Sequence, residues 1–361
     1  MRILHINAGE VWSGIEQRIL FIARYLKEKR VYCALAISPF SPLWKKAEKE
    51  GIKVFPLKIK SEFSLPSIFK LRKIIREEGI TLLHTHRSSD HWLGFWASRG
   101  LEIMLIRTRH NLTPIPKNPF NYFLYQKATH HFIAVAEIIK RAMIEDFKIP
   151  PSKITTIHSA VDIEKFKRKK GGLREELGFP SNIPLVGTVG RIRDHKDYPL
   201  FLETARWILE RNPKVRFVIV GEGPLEGYIR KLTRDFQLDN KVIFLGKRED
   251  VEKIVPDFDV FLLTSKIEGS PAVIKEAMLC GIPVVASKVG GIPEIIENGK
   301  EGVLISRRNP EDFGRAVLEL LDQKEKVKKM VEKARKKVRE NYSPEILGKE
   351  TLEVYERLHQ R

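Results

Sequence analysis

The chain alternates short apolar segments with segments of helical periodicity, and this alternation runs along both halves of its 361 residues. Short strands separated by helices are typical of a parallel sheet covered by helices on both faces. One ordinary hydrophobic core does not enclose a chain of this length, so the sequence predicts two such domains. Hydrophobic residues form 42% of the chain, which supports a packed interior and argues against wholesale disorder.

The first half contains a series of apolar segments that predict strands. They are Arg2–Ile6, Tyr32–Ile37, Lys53–Pro56, Leu82–His84, Met104–Arg107, Phe132–Val135 and Ile154–Ile157. Helical periodicity predicts helices between several of them. These helices are Glu16–Lys27, Pro66–Glu78 and Glu137–Phe147.

The second half restarts the same pattern. Its predicted strands are Leu185–Val189, Arg216–Val220, Val242–Leu245, Val260–Leu263, Pro283–Ala286 and Gly302–Ile305. Its predicted helices are Pro199–Arg211, Leu225–Phe236, Pro271–Met278, Pro310–Asp322, Lys324–Glu340 and Pro344–Leu358. The repeated pattern predicts two doubly wound, Rossmann-like units in tandem. Because such folds bind ligands at the carboxyl ends of their strands, we expect the two domains to face each other across a cleft.

A charged segment that ends in two glycines, residues 165–172, separates the two halves. Exposed charged and glycine-containing segments often link domains. We therefore predict an N-terminal domain over residues 1–168 and a C-terminal domain over residues 169–343. A basic surface loop within one domain is the alternative interpretation of this segment.

The positive charge is concentrated in the first half. Residues 1–180 hold 32 Lys and Arg against 17 Asp and Glu, whereas residues 181–361 hold 33 against 29. Such asymmetry suggests an anionic partner, for which nucleic acid, an acidic membrane surface and a phosphorylated substrate are candidates. A lysine-rich proteome or a thermophilic source would also give this composition.

Two glutamates flank a glycine-proline turn that leads from a predicted strand into a predicted helix. The first lies just before the turn and the second lies inside the helix. The segment reads Glu268-Gly-Ser-Pro, and Glu276 follows eight positions after Glu268. Amides at a helix N-terminus favour a phosphate, and two carboxylates at this spacing can accept hydrogen bonds from hydroxyls of one elongated ligand. The alternative is that Glu276 pairs with a neighbouring base such as Lys275 on a solvated face.

A basic loop follows the first strand of the second half. Its Arg191 and Lys196 are five positions apart, so an irregular loop could direct both side chains to one diphosphate. Two unrelated surface cations are the alternative. The next strand is followed by Gly221-Glu-Gly-Pro, a Gly-x-Gly turn that by itself is weak evidence for a phosphate loop.

Together these segments resemble the retaining glycosyltransferases of family 4, which have the GT-B fold. The match rests on Glu268 and Glu276 as an E-x7-E signature, on the glycine-rich turns at residues 281–287 and 290–296, and on the order of all segments. The resemblance implies an acceptor-side N-terminal domain, a nucleotide-sugar donor-binding C-terminal domain, and a helix over residues 344–361 that crosses back to the first.

The resemblance also assigns roles to residues of the second half. Glu276 would bind the ribose hydroxyls and Glu268 the hydroxyls of the donor sugar, while the backbone of Gly269, Ser270, Pro271 and Ala272 would meet the sugar and its phosphate. Arg191 and Lys196 would stabilise the leaving diphosphate. Gly221 and Gly223 would lie near the nucleotide.

Two loops of the first half resemble the same family. Ser13-Gly14 stands where family members show two glycines, so Gly14 would allow close approach to the donor and Ser13 departs from the pattern. His84-Thr-His86 resembles the H-x-H element, in which His86 would face the donor sugar and His84 would be structural. Arg109, which follows another predicted strand, is a candidate for the acceptor side, and Ser159-Ala160 departs from the usual Asn-Gly turn.

We predict no metal and no cofactor, with the nucleoside diphosphate sugar as substrate. Asp257-Phe-Asp259 has the form of a metal-binding D-x-D motif, but Asp259 fits the start of a strand and two cations are available for the diphosphate. A nucleotide-binding oxidoreductase would place a third glycine one position earlier than Gly227. A basic nucleic-acid-binding protein lacks a supporting motif.

The sequence thus predicts retaining transfer of a sugar to an acceptor hydroxyl, in glycolipid, lipopolysaccharide or polysaccharide synthesis. It shows neither a signal peptide nor a membrane span, which predicts a cytoplasmic enzyme. Phe63–Phe69 and the basic segment after it suggest peripheral contact with an anionic membrane and a glycan or lipid-linked acceptor. An ordinary amphipathic helix packed on the sheet is the alternative for this segment.

Overall fold

The computed structural model of the protein describes residues 1–59, 61, 63–167 and 171–360. It divides into two compact units. Met1–Ala160 and Pro344–Arg361 form the first unit, and Val161–Ser343 forms the second. Each unit is built around its own sheet of parallel strands.

The second unit begins before the predicted domain boundary at residue 168. The backbone N–H of Val161 donates to the carbonyl of Tyr342, and the side chains of Val161 and Phe166 are buried in the core of this unit. The described part of the predicted linker is therefore packed against the second unit. The linker residues Arg168, Lys169 and Lys170 lie outside the described residues.

The first sheet has seven parallel strands within the described residues, in the order β3-β2-β1-β4-β5-β6-β7. The strands are β1 (Arg2–Asn7), β2 (Tyr32–Ile37), β3 (Lys53–Pro56), β4 (Leu82–Thr85), β5 (Met104–Arg109), β6 (His131–Ala134) and β7 (Ile154–Thr156). The helices that follow them are α1 (Gly14–Glu28), α2 (Pro42–Lys49), α3 (Leu65–Glu77), α4 (Ser88–Ser98), α5 (Pro119–Phe123) and α6 (Glu137–Phe147).

The second sheet has six parallel strands within the described residues, in the order β10-β9-β8-β11-β12-β13. The strands are β8 (Leu185–Val189), β9 (Arg216–Val220), β10 (Val242–Gly246), β11 (Val260–Leu263), β12 (Val284–Ser287) and β13 (Val303–Ile305). The helices are α7 (Leu173–Glu176), α8 (Tyr198–Leu209), α9 (Glu226–Asp235), α10 (Val251–Ile254), α11 (Ala272–Cys280), α12 (Ile292–Ile295), α13 (Pro310–Asp322) and α14 (Lys324–Asn341).

Helix starts are fixed by side chains that accept hydrogen bonds from the first free backbone amides. Ser13 caps α1 in this way, Ser41 caps α2 and Asn309 caps α13. Proline stands in the first turn of α2 and of α13, where its missing N–H is not needed. The helices that were predicted from the sequence agree closely with those observed, whereas α2, α4 and the shorter α5, α7, α10 and α12 were not predicted.

Each sheet is covered on both faces, as a doubly wound fold requires. In the first unit, Leu4 and Leu83 point to one core whereas Ile3 and Leu82 point to another. In the second unit, alternate residues along β8 and β9 likewise enter two separate cores. The predicted fold class of two Rossmann-like units is therefore confirmed.

The last helix, α15 (Pro344–His359), belongs to the first unit. It packs closely on α1, because a Cβ added to Gly348 would lie 2.2 Å from the ring of Tyr25. Tyr355 of α15 is fully buried beneath the sheet face that holds Ile3 and Leu82. Among the described residues, no helix is both long and apolar enough to cross a membrane.

Candidate functional site

In each sheet there is one point at which the order of strand addition reverses, and the candidate residues lie near these two switch points. In the second unit β8 lies between β9 and β11, so the chain leaves β8 to one side and later returns on the other. In the first unit β1 lies in the same way between β2 and β4. In open parallel sheets such switch points open a crevice at the carboxyl ends of the strands, where ligands bind.

The loop after β8 brings Lys196 to Glu268. A short turn over Asp194–Lys196 directs the Lys196 Nζ to within 2.6 Å of the Glu268 Oε1, and both side chains are largely buried. Arg191 of the same loop is exposed and forms no hydrogen bond or ion pair with another described residue. The structure therefore joins Lys196 to Glu268 and leaves the Arg191 guanidinium unpaired among the described residues.

The two glycines after β9 are required by packing between loops. A Cβ added to Gly221 would lie 2.1 Å from the carbonyl oxygen of Gly190, and one added to Gly223 would lie 2.3 Å from that of Ile192. Gly221 also has a φ of +136°, which side chains rarely tolerate. These glycines hold the loop after β9 against the loop that carries Arg191, and contact with a nucleotide stays a prediction.

Glu268 is held from both its side chain and its backbone. Its Oε1 accepts from the Ser265 hydroxyl at 2.7 Å in addition to Lys196. Its carbonyl accepts from the Gly291 amide at 3.1 Å. Gly290 has a φ of +55°, and a Cβ there would lie 1.8 Å from the same carbonyl oxygen. The glycine pair after β12 thus supports Glu268 directly.

The turn after Glu268 leads into α11. Pro271 is the N-cap of the helix with φ −65° and ψ 116°, so the helix begins one residue after the predicted start, at Ala272. The Ser270 hydroxyl accepts from the Lys275 Nζ at 3.0 Å, and the Lys275 side chain is fully buried. Lys275 therefore supports the Gly269–Ala272 turn from beneath.

Glu276 is the fifth residue of α11 and is 9% exposed. Its carboxyl group has no hydrogen-bond partner within the described ranges of the chain. Burial raises its pKa to about 7, although the charges of Lys165 and Lys275 act in the opposite direction. The interpretation of Glu276 as part of a solvated helix face is therefore wrong. A buried, unpaired carboxyl is suited to accept hydrogen bonds from ligand hydroxyls.

Sequence reasoning missed several neighbours of the two glutamates. Lys165 and Glu252 form an ion pair of 3.1 Å, and both charges influence Glu276. Arg308, in the loop after β13, donates to the carbonyl oxygen of Ser265 at 3.0 Å and pairs with Asp197. A single basic residue gives no sequence signal that predicts these contacts, because its partners lie in loops that are distant along the chain.

The D-x-D segment has a structural role. Asp257 accepts hydrogen bonds from the backbone amides of Gly171 and Arg174. Asp259 accepts from the Leu185 amide at 2.7 Å and pairs with the Arg174 guanidinium at 2.6 Å. Both carboxylates hold the start of the second unit to its sheet.

In the first unit, His86 lies in a cluster of buried histidines. His86 is 3% exposed and His84 is fully buried. The His86 Nε2 is 3.0 Å from the Nδ1 of His5, and its Nδ1 is 3.2 Å from the Nε2 of His110. Burial lowers the pKa of His86 well below the ordinary histidine value, so the ring is neutral near pH 7. His5 and His110 carry no motif that the sequence could have revealed.

The loop after β1 is ordered by Glu16. The buried carboxylate of Glu16 accepts from Asn7 at 2.7 Å and pairs with Arg87 at 2.8 Å. A Cβ added to Gly14 would meet no atom within 4 Å, whereas one at Gly9 would lie 2.2 Å from Glu16 Oε1. Protein packing therefore requires glycine at position 9, and a ligand-related role of Gly14 stays a prediction.

Arg109 ends β5 and is largely buried. Its guanidinium donates to the carbonyl oxygen of Thr113. Burial lowers its pKa to about 10, so the side chain stays charged at neutral pH. This contact orders the loop after β5, and a role of Arg109 on the acceptor side stays a prediction.

Two family models match the chain one after the other. The model described as "Glycosyltransferase Family 4" matches residues 12–165, and the model described as "Glycosyl transferases group 1" matches residues 170–337. The chain is a family-4 type glycosyltransferase. This assignment favours the glycosyltransferase interpretation over the oxidoreductase and nucleic-acid-binding alternatives.

Curated relatives and solved structures agree with this glycosyltransferase assignment. The chain is 28% identical to the UDP-Gal:alpha-D-GlcNAc-diphosphoundecaprenol alpha-1,3-galactosyltransferase of Escherichia coli, over 90% of this chain and 89% of the relative. It is 25% identical to the N-acetyl-alpha-D-glucosaminyl L-malate synthase of Bacillus anthracis, over 81% and 79%. The crystal structure of Anabaena HepE in complex with UDP and glucose has the same fold, with a TM-score of 0.88, 20% identity and 99% coverage of both chains.

Proposed function

We propose that this glycosyltransferase moves a sugar from a nucleoside diphosphate sugar to an acceptor hydroxyl with retention of configuration and without a metal ion. The observation that carries the proposal is the buried, unpaired carboxyl of Glu276 on α11. Glu276 lies about one turn of α11 after the Gly269–Ala272 segment. Glu268, which precedes this segment, is paired with Lys196.

Each group at the switch point has a separate role in this proposal. The Glu276 carboxylate accepts hydrogen bonds from the ribose hydroxyls, and Glu268 accepts from hydroxyls of the donor sugar. The backbone of Gly269–Ala272 meets the sugar and its phosphate at the start of α11. Gly221 and Gly223 line the nucleotide.

Lys196 and Arg191 stabilise the negative charge that develops on the leaving diphosphate. Lys196 pairs with Glu268 at 2.6 Å, and a bound diphosphate would compete for the same ammonium group. A shift of Lys196 towards the phosphate would release Glu268 for the sugar hydroxyls. Because two cations serve the diphosphate, and Asp257 and Asp259 are engaged with backbone amides and Arg174, the proposal needs no divalent metal.

The reaction exchanges one bond at the anomeric carbon for another. The bond to the diphosphate oxygen breaks, and a bond to the acceptor oxygen forms on the same face of the sugar. The acceptor proton passes to an oxygen of the leaving phosphate, so an enzymic carboxylate nucleophile is not required. The products are the glycosylated acceptor and the nucleoside diphosphate.

We propose a UDP-sugar as the first donor to test and a glycan or lipid-linked hydroxyl as the acceptor. The E. coli relative is named for a UDP-Gal donor and a diphosphoundecaprenol-linked acceptor. The likeness to that relative spans most of both chains. Synthesis of glycolipid, lipopolysaccharide or polysaccharide is the corresponding biological context.

An exposed aromatic surface of the first unit favours a lipid-linked acceptor. Phe63, Leu65 and Phe69 are 59%, 63% and 67% exposed. The inner side of α3 is packed on the sheet through Leu71 and Ile74, so the alternative of a packed amphipathic helix holds for that side alone. Exposed aromatic side chains beside basic residues are suited to the interface of an anionic bilayer.

This aromatic surface extends beyond α3. The Phe63 ring lies 6.3 Å from the rings of both Trp92 and Trp96. The exposed rings of Trp96 and Phe123 both contact the buried ring of Phe95. Lys70 and Lys73 are exposed on α3. We propose that this surface rests on the inner face of an anionic membrane, with the protein as a peripheral cytoplasmic enzyme.

Vesicle flotation tests the membrane proposal. The protein should float with vesicles that contain anionic lipid and stay behind with neutral vesicles, and Phe63→Ser/Phe69→Ser should weaken flotation. Tyr228→Ser, which removes an exposed aromatic ring from the second unit, is the matched control and should float as the unaltered protein does. Equal flotation of the double variant would contradict the proposed surface.

The anomeric configuration of the product tests the proposed reaction. Proton NMR of the newly formed glycosidic bond should show the same configuration as the donor sugar, and the rate should be unchanged in EDTA. An inverted product would overturn the retaining mechanism. A rate that falls in EDTA and returns with a divalent cation would overturn the metal-free mechanism while leaving the transferase assignment in place.

A further inference from the structure

A continuous row of polar side chains crosses the first unit from its core to the end of β5. Its members are Thr108, His84, Tyr355, His5, His86 and His110. The five rings and the hydroxyl come from β1, β4, the end of β5 and α15. Of these six residues, only His84 and His86 belong to one sequence motif.

The buried end of the row is centred on His84. Its Nε2 is 2.7 Å from the Thr108 hydroxyl, and its Nδ1 is 2.5 Å from the Tyr355 hydroxyl. His84 and Thr108 occupy neighbouring strands β4 and β5. Tyr355 reaches them from α15 and is fully buried.

The row continues from Tyr355 to the edge of the unit. The Tyr355 hydroxyl is 3.3 Å from the Nε2 of His5, whose Nδ1 is 3.0 Å from the Nε2 of His86. The Nδ1 of His86 is 3.2 Å from the Nε2 of His110. His110 is half-buried, and its Nδ1 has no partner within the part of the chain that the structure describes.

The imidazoles of this row are neutral. Burial lowers the pKa of His5 to about 3 and the pKa of His84, His86 and His110 well below the ordinary value. The charge of the buried Arg18 lowers the pKa of all four further. Burial also raises the pKa of Tyr355 far above the ordinary tyrosine value.

Neutrality couples the members of the row. A neutral imidazole has one N–H and one acceptor nitrogen, so a ring that accepts at one nitrogen donates from the other. The Tyr355 hydroxyl has one proton and faces two imidazole nitrogens, so it donates to one and accepts from the other. All contacts must therefore point the same way along the row, so the tautomer of one ring fixes the tautomers of the others.

We propose that Tyr355 and His5 are positioning residues that lock His86 and His110 into single tautomers, so that His110 Nδ1 presents a fixed hydrogen-bonding group to a substrate hydroxyl. The inference rests on the proposed function in one respect, because it takes the substrate to be a sugar donor or an acceptor alcohol. A hydroxyl can both donate and accept, and a locked imidazole selects its orientation.

A metal site is the competing interpretation of the same histidines. Nitrogens of His5, His84 and His86 lie within 4.8 Å of one another, a spacing that could surround a cation. Two observations favour the hydrogen-bonded row instead. The nitrogens are already paired with each other or with hydroxyls, and the Arg18 charge opposes a nearby cation.

Imidazole nitrogen NMR of the full-length protein, labelled with nitrogen-15 histidine, tests the proposal. Each of the four histidines should show one protonated and one unprotonated nitrogen. Tyr355→Phe removes the hydroxyl at the centre of the row and should give averaged nitrogen signals, which report mixed tautomers, for His5, His86 and His110. Thr108→Val removes the hydroxyl at the buried end and should give averaged nitrogen signals for His84 and, through Tyr355, for the histidines coupled to it.

Tyr122→Phe is the matched control, because Tyr122 lies in the same unit and donates to the Asp146 carbonyl oxygen away from the row. Its histidine signals and its activity should equal those of the unaltered protein. Tyr355→Phe should lower kcat/KM by about fivefold, the effect of one lost hydrogen bond. A merely structural role of Tyr355 would leave the tautomers unmixed.

The outcomes separate the inference from the function on which it rests. If single tautomers persist in Tyr355→Phe, the proposed positioning role of Tyr355 is wrong. Stoichiometric cobalt(II) binding that His5→Gln removes would likewise contradict the hydrogen-bonded row and favour a metal site. Mixed tautomers in Tyr355→Phe, with no transfer from any nucleotide sugar by the unaltered protein, would support the row and refute the proposed function.

Discussion

At the residue scale, Glu276 combines a stability penalty with a proposed binding role. The folded protein raises its pKa to about 7 by burial, compared with about 4.3 for an exposed glutamate. The folded state therefore holds this proton more tightly than the unfolded state. The stability that comes from this tighter proton binding is fully present below the unfolded pKa and is lost as the pH rises towards about 7. Above that pH the buried, ionised carboxylate is the stability penalty.

Replacement of Glu276 by glutamine should therefore stabilise the protein at alkaline pH. We expect Glu276→Gln to raise the free energy of unfolding at pH 8 by up to about 3 kcal/mol and to have little effect at pH 4. Urea unfolding at both pH values measures the difference. Glu332→Gln, on an exposed position of α14, should change neither value, and a Glu276 effect that is equal at both pH values would contradict the buried carboxyl.

The same carboxyl should make binding of the nucleotide sugar depend on pH. Ribose hydroxyls donate to the ionised form, so affinity should rise by about tenfold between pH 6 and pH 8 and then level off. Calorimetric titration with the intact nucleotide sugar, whose phosphates do not titrate in this range, measures this change. Glu276→Gln should bind more weakly and without the pH dependence, and a pH dependence that persists in this variant would assign it to another group.

At the element scale, glycines fix the loops that carry the candidate side chains. Gly290 combines a φ of +55° with a Cβ position 1.8 Å from the Glu268 carbonyl oxygen. A methyl group there must displace Glu268 from its contacts with Lys196 and Ser265. The loop after β12 is thus part of the same site, although its glycines are distant in sequence from Glu268.

Gly290→Ala should lower kcat/KM by at least about tenfold and reduce stability by about 1–3 kcal/mol. Steady-state kinetics and thermal unfolding measure the two effects. Gly227→Ala is the control, because an added Cβ at this position of α9 meets no atom within 4 Å. It should be neutral or slightly stabilising, and a Gly290→Ala variant with full activity would contradict the support of Glu268 by this loop.

Elements were predictable from the sequence where the local pattern was strong. Tyr32–Ile37, Leu185–Val189 and Val260–Leu263 were predicted with the bounds observed. By contrast, α4 was missed, because its residues Ser88–Ser98 are apolar on several sides and show little helical periodicity. Short helices such as α10 and α12 were missed because a single turn leaves almost no periodic signal.

At the scale of the whole molecule, the first unit is assembled from both ends of the chain. α15 packs on α1 and supplies Tyr355 to the row of histidines. Sequence reasoning could place His84 and His86 through their motif, but it could not join them to His5 and Tyr355, which meet only in the folded sheet. Likewise Glu268 and Glu276 were predicted, whereas the Lys196–Glu268 pair and the Lys165–Glu252 pair needed the structure.

The contact of α15 with α1 should control the stability of the first unit. Gly348→Ala places a methyl group 2.2 Å from the Tyr25 ring, and we expect a loss of about 1–3 kcal/mol. Tryptophan fluorescence reports this unit, because Trp207 is the only one of the five tryptophans outside it. An unchanged fluorescence transition in Gly348→Ala would contradict the close packing of the two helices.

Binding of nucleotide sugars to the second unit is the central claim, and calorimetric titration of the full-length protein tests it most directly. UDP-, GDP- and ADP-sugars are compared in EDTA with the unaltered protein, Glu276→Ala and the control Glu332→Ala. We predict that one class of nucleotide sugar binds, that Glu276→Ala abolishes its binding and that Glu332→Ala retains it. Absence of binding of every nucleotide sugar to the folded protein, or equal binding to Glu276→Ala, would contradict the account.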